Sequence, residues 1–330
     1  MEQLNYAFTL CLSLLVEAIP FLLLGVLLSS VLLIFIDERW LIAHLPKHPV
    51  LGAFAGSCIG FLFPVCECGN VPVARRLIMQ GVPMPVAIGF LLAAPTVNPI
   101  VIWSTWIAFR DRPEIVVLRV VFSLLIATII GYLFSVQKDL KPILQPAIAL
   151  GIIRAEPKFS NGSSLLDGGD FMLGGAGMAP RRMSQDLIET PKRSIRENFN
   201  LLLDNVVQEL RELGGVLVLG SAVAAAIQTL TPRELIVSLG EGPIISIVVM
   251  MLLAGSISIC STVDSFFALS FAATFTSGSL LAFLVFGPMF DLTSIGLMLS
   301  IFKPQAIFYL FAIATQLTFL FTLFVNFHVS

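Results

Sequence analysis

The chain has 330 residues, 57% of them hydrophobic and 12% charged, with a formal net charge of −2. A soluble domain carries about twice that charged fraction, so this composition excludes a soluble globular protein, and with no basic stripe it also excludes a nucleic-acid binder. Five cysteines, an odd number set in apolar surroundings, exclude a secreted disulfide framework.

The first apolar run, residues 6–36, lacks a basic leading region and is too long for the core of a signal peptide, so it predicts a spanning helix. At 1.5 Å per residue it would reach about 46 Å across a bilayer core of about 30 Å, which implies tilt or a kink at Pro20. Glu17 sits one turn before that proline. A polar connector, 37–49, leads into 50–63, where Gly52, Gly56 and Gly60 have the spacing that lets helices approach closely. The stretch 66–72, CECGNVP, is a polar break. After it come a short segment, 73–81, an apolar run, 82–94, and a second break, 95–99. Residues 115–136 read as a clean spanning helix.

Residues 137–199 differ in kind. Their centre is rich in Gly and Ser, and the stretch holds nine of the chain's 19 basic residues. That composition predicts a flexible linker, and the positive-inside rule assigns it to the cytoplasm. The second half then repeats the first about 194 residues on: Cys66 answers to Cys260, Asn70 to Asp264, Pro95 to Pro288 and Asn98 to Asp291. The expected organisation is a first transmembrane repeat at 1–136, a linker at 137–199 and a second repeat at 200–330. The fold class is an all-α integral membrane protein of two repeated helical bundles. An inverted repeat is favoured, with about 8 to 10 transmembrane helices and broken or re-entrant segments.

Lipid cannot satisfy an unwound backbone or solvate a guanidinium, so polar breaks at matching places in two halves point to a transport site at mid-membrane. Cys66 and Cys68 lie within one turn, and Cys260 occupies the matching break. Soft thiolates suit copper(I), zinc or a trivalent arsenic centre, whereas buried cysteines such as Cys11 and Cys58 more often act as small hydrophobes. A structural zinc site would want four ligands in CxxC or CxxH pairs, so no resident metal and no cofactor are expected. Asn98 and Asp291 either cap the helices that follow or line the path. Asp264, in register with Asn70, is the candidate for loading and unloading a proton. Glu67, Ser261 and Thr262 are accessory candidates. Arg75 and Arg76, each costing about 2.5 to 3.5 kcal/mol in lipid, either snorkel or pair with Glu67 or Asp264, or face an anionic substrate. No GxxxxGK[ST] nucleotide signature is present.

The motif CxCGxxPxAxxLxxxGxPxxxAxxFLLAAPTxNP, followed by a Cys-Ser-x-x-Asp break in the second half, resembles the ArsP-type permease family of bacterial inner-membrane proteins. The likeness covers both hydrophobic halves and leaves out 137–199. It implies a multi-pass permease, not an enzyme, and its characterised branch exports trivalent organoarsenicals on cysteines. Here Cys66, Cys68 and Cys260 stand in the matching places. The leading expectation is therefore proton-coupled, secondary-active efflux of a small thiophilic solute by a protein embedded in the lipid bilayer, with a homo-oligomer left open. The alternatives are a permease for another small anion or soft metal species and, in a different class, a membrane thiol oxidoreductase using Cys66 and Cys68.

Overall fold

The computed structural model describes residues 2–35, 45–46, 48–63, 66–135, 144–145, 195–230, 242–272 and 274–328. Regular structure among these residues is helical, apart from one isolated bridge between Leu144 and Phe302. The protein is an all-α membrane protein. Four helical stretches are long and apolar enough to cross a bilayer: Asn5–Ser30, Met84–Ala108, Pro113–Ser135 and Pro304–His328. Three shorter apolar stretches, Pro49–Leu62, Pro243–Ser256 and Ser277–Phe286, accompany them.

In chain order the helices are α1 (Glu2–Phe35), α2 (Pro49–Ile59, extended by a 3-10 turn Gly60–Leu62), α3 (Glu67–Met79), α4 (Met84–Val97), α5 (Pro99–Ala108) and α6 (Pro113–Ser135). After them come α7 (Ile195–Leu230), α8 (Pro243–Ser256), α9 (Asp264–Leu269), α10 (Ser277–Phe286), α11 (Leu292–Met298) and α12 (Pro304–His328). The order α2 to α6 is echoed by α8 to α12. Each series opens on a proline, which suits the first helical position because no donor is lost there.

The centre of each series is a helix with no charged residue, α4 and α10, buried along its whole length. A helix apolar on all sides has no face to offer water and goes to the interior. Around α4 pack α2 and α6, and around α10 pack α8 and α12. Glycine makes the first trio tight. A β-carbon at Gly56 would fall on the Val86 carbonyl, one at Gly89 on the Ala53 carbonyl, and one at Gly60 on the backbone of Ala94. Between the series, α5 meets α9 and α3 meets α11, a reciprocal pair of crossings, while α1 lies along α7 and α6 touches α12.

The breaks are narrower than their sequence suggests. The first was expected to reach Pro72, yet Glu67–Met79 is helical and contains Pro72. A proline in the second turn removes one backbone bond, and burial of the surrounding turn holds the helix together. The second break contracts to Asn98, extended between α4 and α5, and Pro95 lies within α4. In the second half the unwound stretch is longer, from Ile257 to Val263, and α9 is only 6 residues. The linker expected at 137–199 lies almost wholly outside the described residues. Leu144 and Gln145 are described, and both dock on the end of α11: the Gln145 amide donates to the Ile301 carbonyl at 2.9 Å and its side chain to the Leu299 carbonyl at 3.0 Å.

Candidate functional site

The chain enters α3 through Cys66, whose extended backbone (φ −80°, ψ −178°) acts as the N-cap. Cys66 and Cys68 are buried, and with Glu67 they bring three donor atoms within 4.8 Å of one another. Cys260, from the unwound stretch between α8 and α9, adjoins Cys66. Its sulfur accepts a hydrogen bond from the Thr262 hydroxyl at 3.4 Å. All five cysteines are free thiols. Three sulfurs from two stretches far apart in the sequence therefore meet.

They meet at a cavity. Its wall includes Cys66, Glu67, Cys68, Cys260 and Asp291, closed on the α1 side by Glu17. Its free volume is about 20 Å³, room for roughly one water molecule. A solute larger than water therefore needs the helices to part. Asp291 has two tasks here. It caps α11 in a capping box, with Ser294 N donating to Oδ1 at 2.6 Å and the Ser294 hydroxyl accepting from Asp291 N at 2.9 Å, while its carboxylate also lines the cavity. Glu67 Oε2 is buried without a hydrogen-bond partner among the described residues, as is the hydroxyl of Ser261, its register mate. Such groups cost on the order of 1–3 kcal/mol each unless water or a ligand meets them.

The other expected residues lie elsewhere. Asn98 caps α5, accepting from Val101 N at 2.9 Å, so the simple capping role accounts for it. Asn70 is fully buried in α3, and neither of its amide atoms has a partner among the described residues. Arg75 pairs with Glu212 of α7 at 2.7 Å, not with Glu67 or Asp264. Arg76 is half-buried on the same helix, near Glu209.

Asp264 is the main departure from the expected picture. It is not a free carboxyl. It forms a buried bidentate pair with Arg119 of α6, with Nη2 to Oδ2 at 2.6 Å and Nη1 to Oδ1 at 3.2 Å. Arg119 Nη1 also donates to the hydroxyls of Thr105 at 2.7 Å and Ser265 at 2.8 Å. The sequence reading passed over Arg119 by taking 115–136 as a clean span. The signal was a lone cation in an otherwise apolar helix, which is expensive without a partner. Glu17, Ser258 and Thr293 were likewise missed as cavity residues.

This chain matches the ArsP_1 family, described as predicted permeases, over residues 3–327. The chain belongs to that family. Three relatives are similar to it. The UPF0718 protein YcgR of Bacillus subtilis is 37% identical over 308 residues, spanning 93% of this chain and 92% of that protein. A Streptococcus mutans protein, described as a subunit of a two-component membrane permease complex, is 32% identical over 296 residues, spanning 90% and 87%. The UPF0718 protein YraQ of Escherichia coli is 27% identical over 136 residues, spanning 41% and 39%. No solved structure matches. This member of the permease family is thus a membrane permease, and its thiol-lined cavity lies where the two series of helices meet.

Proposed function

We propose that this permease exports a small thiophilic solute, such as a trivalent organoarsenical, by secondary-active transport through the cavity between its two halves. The observation that carries the reading is the convergence of Cys66 and Cys68 from one half with Cys260 from the other. A trivalent arsenic centre bonds sulfur and is released by thiol exchange, so sulfurs on both moving halves can hold it in one state and loosen it in the next. Cys66, Cys68 and Cys260 are the ligating residues. Asp291 lines the path, with Glu67, Ser261 and Thr262 beside it, while Asn98 caps α5 and Asn70 lies buried within α3. Asp264, bound to Arg119, holds the halves together at the companion crossing.

In this reading 1–136 and 200–330 are inverted repeats, and 137–199 is a cytoplasmic linker of a multi-pass protein in the bacterial inner membrane. An anion permease is disfavoured because Arg75 is engaged with Glu212 at the α3–α7 contact. The experiment is growth of arsenical-sensitive cells expressing the parent or the Cys66→Ser, Cys68→Ser, Cys260→Ser triple variant. The parent should raise the tolerated concentration of a trivalent organoarsenical several-fold and the triple variant should not. Equal protection by both at matched expression would refute the thiol route.

A further inference from the structure

The two crossings between the halves treat charge differently. At the α5–α9 crossing the buried carboxylate of Asp264 faces a guanidinium supplied by the protein itself, Arg119. At the α3–α11 crossing, in register with it, two buried carboxylates, Glu67 and Asp291, line the cavity together with the half-buried Glu17. Among the described residues no lysine, arginine or histidine lines that cavity. The ion pairs Arg75–Glu212 and Arg119–Asp264 engage neither Glu67 nor Asp291. Glu67 lines the cavity, and its Oε2 is buried without a hydrogen-bond partner among those residues.

Carboxylates alone would say only that anions are unwelcome. Here they sit among sulfurs. The donor atoms of Cys66, Glu67 and Cys68 lie within 4.8 Å of one another, and Cys260 adjoins Cys66. In a tetrahedral site with metal–sulfur bonds of about 2.3 Å, neighbouring sulfurs stand roughly 3.8 Å apart. Side-chain shifts of about an ångström would therefore close these donors on one ion, and the cavity's free volume is on the scale of a single small ion.

We infer that the cavity binds a thiophilic metal cation, with Cys66, Cys68 and Cys260 as sulfur donors and Glu67 as oxygen donor. Asp291 adds negative potential at the rim, which favours the approach of a cation. The inference rests on the thiol cavity being the substrate site and goes further, to a cargo that carries positive charge. Each thiol that coordinates gives its proton to water, so binding releases protons and weakens as the medium is acidified. A neutral arsenical needs the sulfurs alone, whereas a cation needs the carboxylates as well.

The test uses the purified full-length protein in detergent, titrated with Cd²⁺ and, separately, with a neutral trivalent phenylarsenical. Cd²⁺ is read by the ultraviolet thiolate-to-metal charge-transfer band. The arsenical is read by protection of thiols from a maleimide. The parent should bind one Cd²⁺ with that band, and the Cys66→Ser, Cys68→Ser, Cys260→Ser variant should lose it while keeping Cys11 and Cys58 as an internal background. Glu67→Gln and Asp291→Asn should each weaken Cd²⁺ at least tenfold, and by a larger factor than they weaken arsenical protection. Cys260→Ser alone, checked for monodispersity, serves if the triple variant does not fold. No thiol-dependent Cd²⁺ band, with arsenical protection intact, would overturn the cation inference and leave the proposed export standing. Loss of both ligands' binding in the parent would overturn both. Undiminished Cd²⁺ affinity in Glu67→Gln and Asp291→Asn would also overturn the inference, by removing the carboxylates from the site.

Discussion

Arg119 donates four hydrogen bonds, two to Asp264 and one each to Thr105 and Ser265, and its side chain is 1% exposed. Thr105 and Ser265 are themselves in contact at 3.0 Å, so three helices share one polar knot within an apolar interior. Two charges withdrawn from water are tolerated because the geometry is bidentate and most of the remaining polar positions are met. Removing one partner leaves the other charge buried and alone. Arg119→Met and Asp264→Leu should therefore each destabilise the protein by about 3–5 kcal/mol. The apolar double variant should recover much of that loss. Thermal unfolding of the three variants in detergent checks this. Singles that melt with the parent would show that water reaches the pair and that its burial is illusory.

Close helix approach is what brings the sulfurs together, and it depends on where side chains are missing. A β-carbon on Gly25 of α1 would collide with the backbone of Gly69 in α3, one turn from Cys66, whereas Gly214 and Gly215 of α7 have no atom within 4 Å of theirs. Gly25→Ala should push α1 away from α3 and cost about 1–3 kcal/mol, the usual range for overpacking. Gly214→Ala should be neutral or stabilising by up to about 1 kcal/mol, since it meets nothing and favours helix. Maleimide labelling of Cys66 and Cys68 offers a second reading, slow in the parent and in Gly214→Ala and faster in Gly25→Ala. Labelling at the parent's rate in Gly25→Ala would mean that α1 does not seal the cavity. The helices themselves were plain in the sequence, because apolar runs with proline starts and glycine spacing follow local rules. The width of the breaks was not. Pro72 and Pro95 were read as helix breakers, but dense packing around α3 and α4 outweighs the loss of one hydrogen bond at each.

Across the molecule, Cys66 and Cys260, which a register of about 194 residues pairs in the sequence, line one cavity. Pairing by register could not find Arg119, because its role has no counterpart in the other copy. Glu17 escaped for the same reason. Transport that rocks one half against the other should be blocked by tying them at the companion crossing. A Thr105→Cys, Ser265→Cys double variant, oxidised in vesicles, should lose uptake of the solute, and reductant should restore it. The parent, given the same oxidant, should keep working. Full uptake by a quantitatively cross-linked protein would show that this crossing stays closed through the cycle. The Arg119–Asp264 knot also has a bearing on ancestry. One copy now owns the guanidinium and the other its acid, while their counterparts hold neither. Two first halves, or two second halves, would each strand an orphan charge in grease if they tried to assemble. The two halves are thus complementary in charge, and neither could stand in for the other at this crossing.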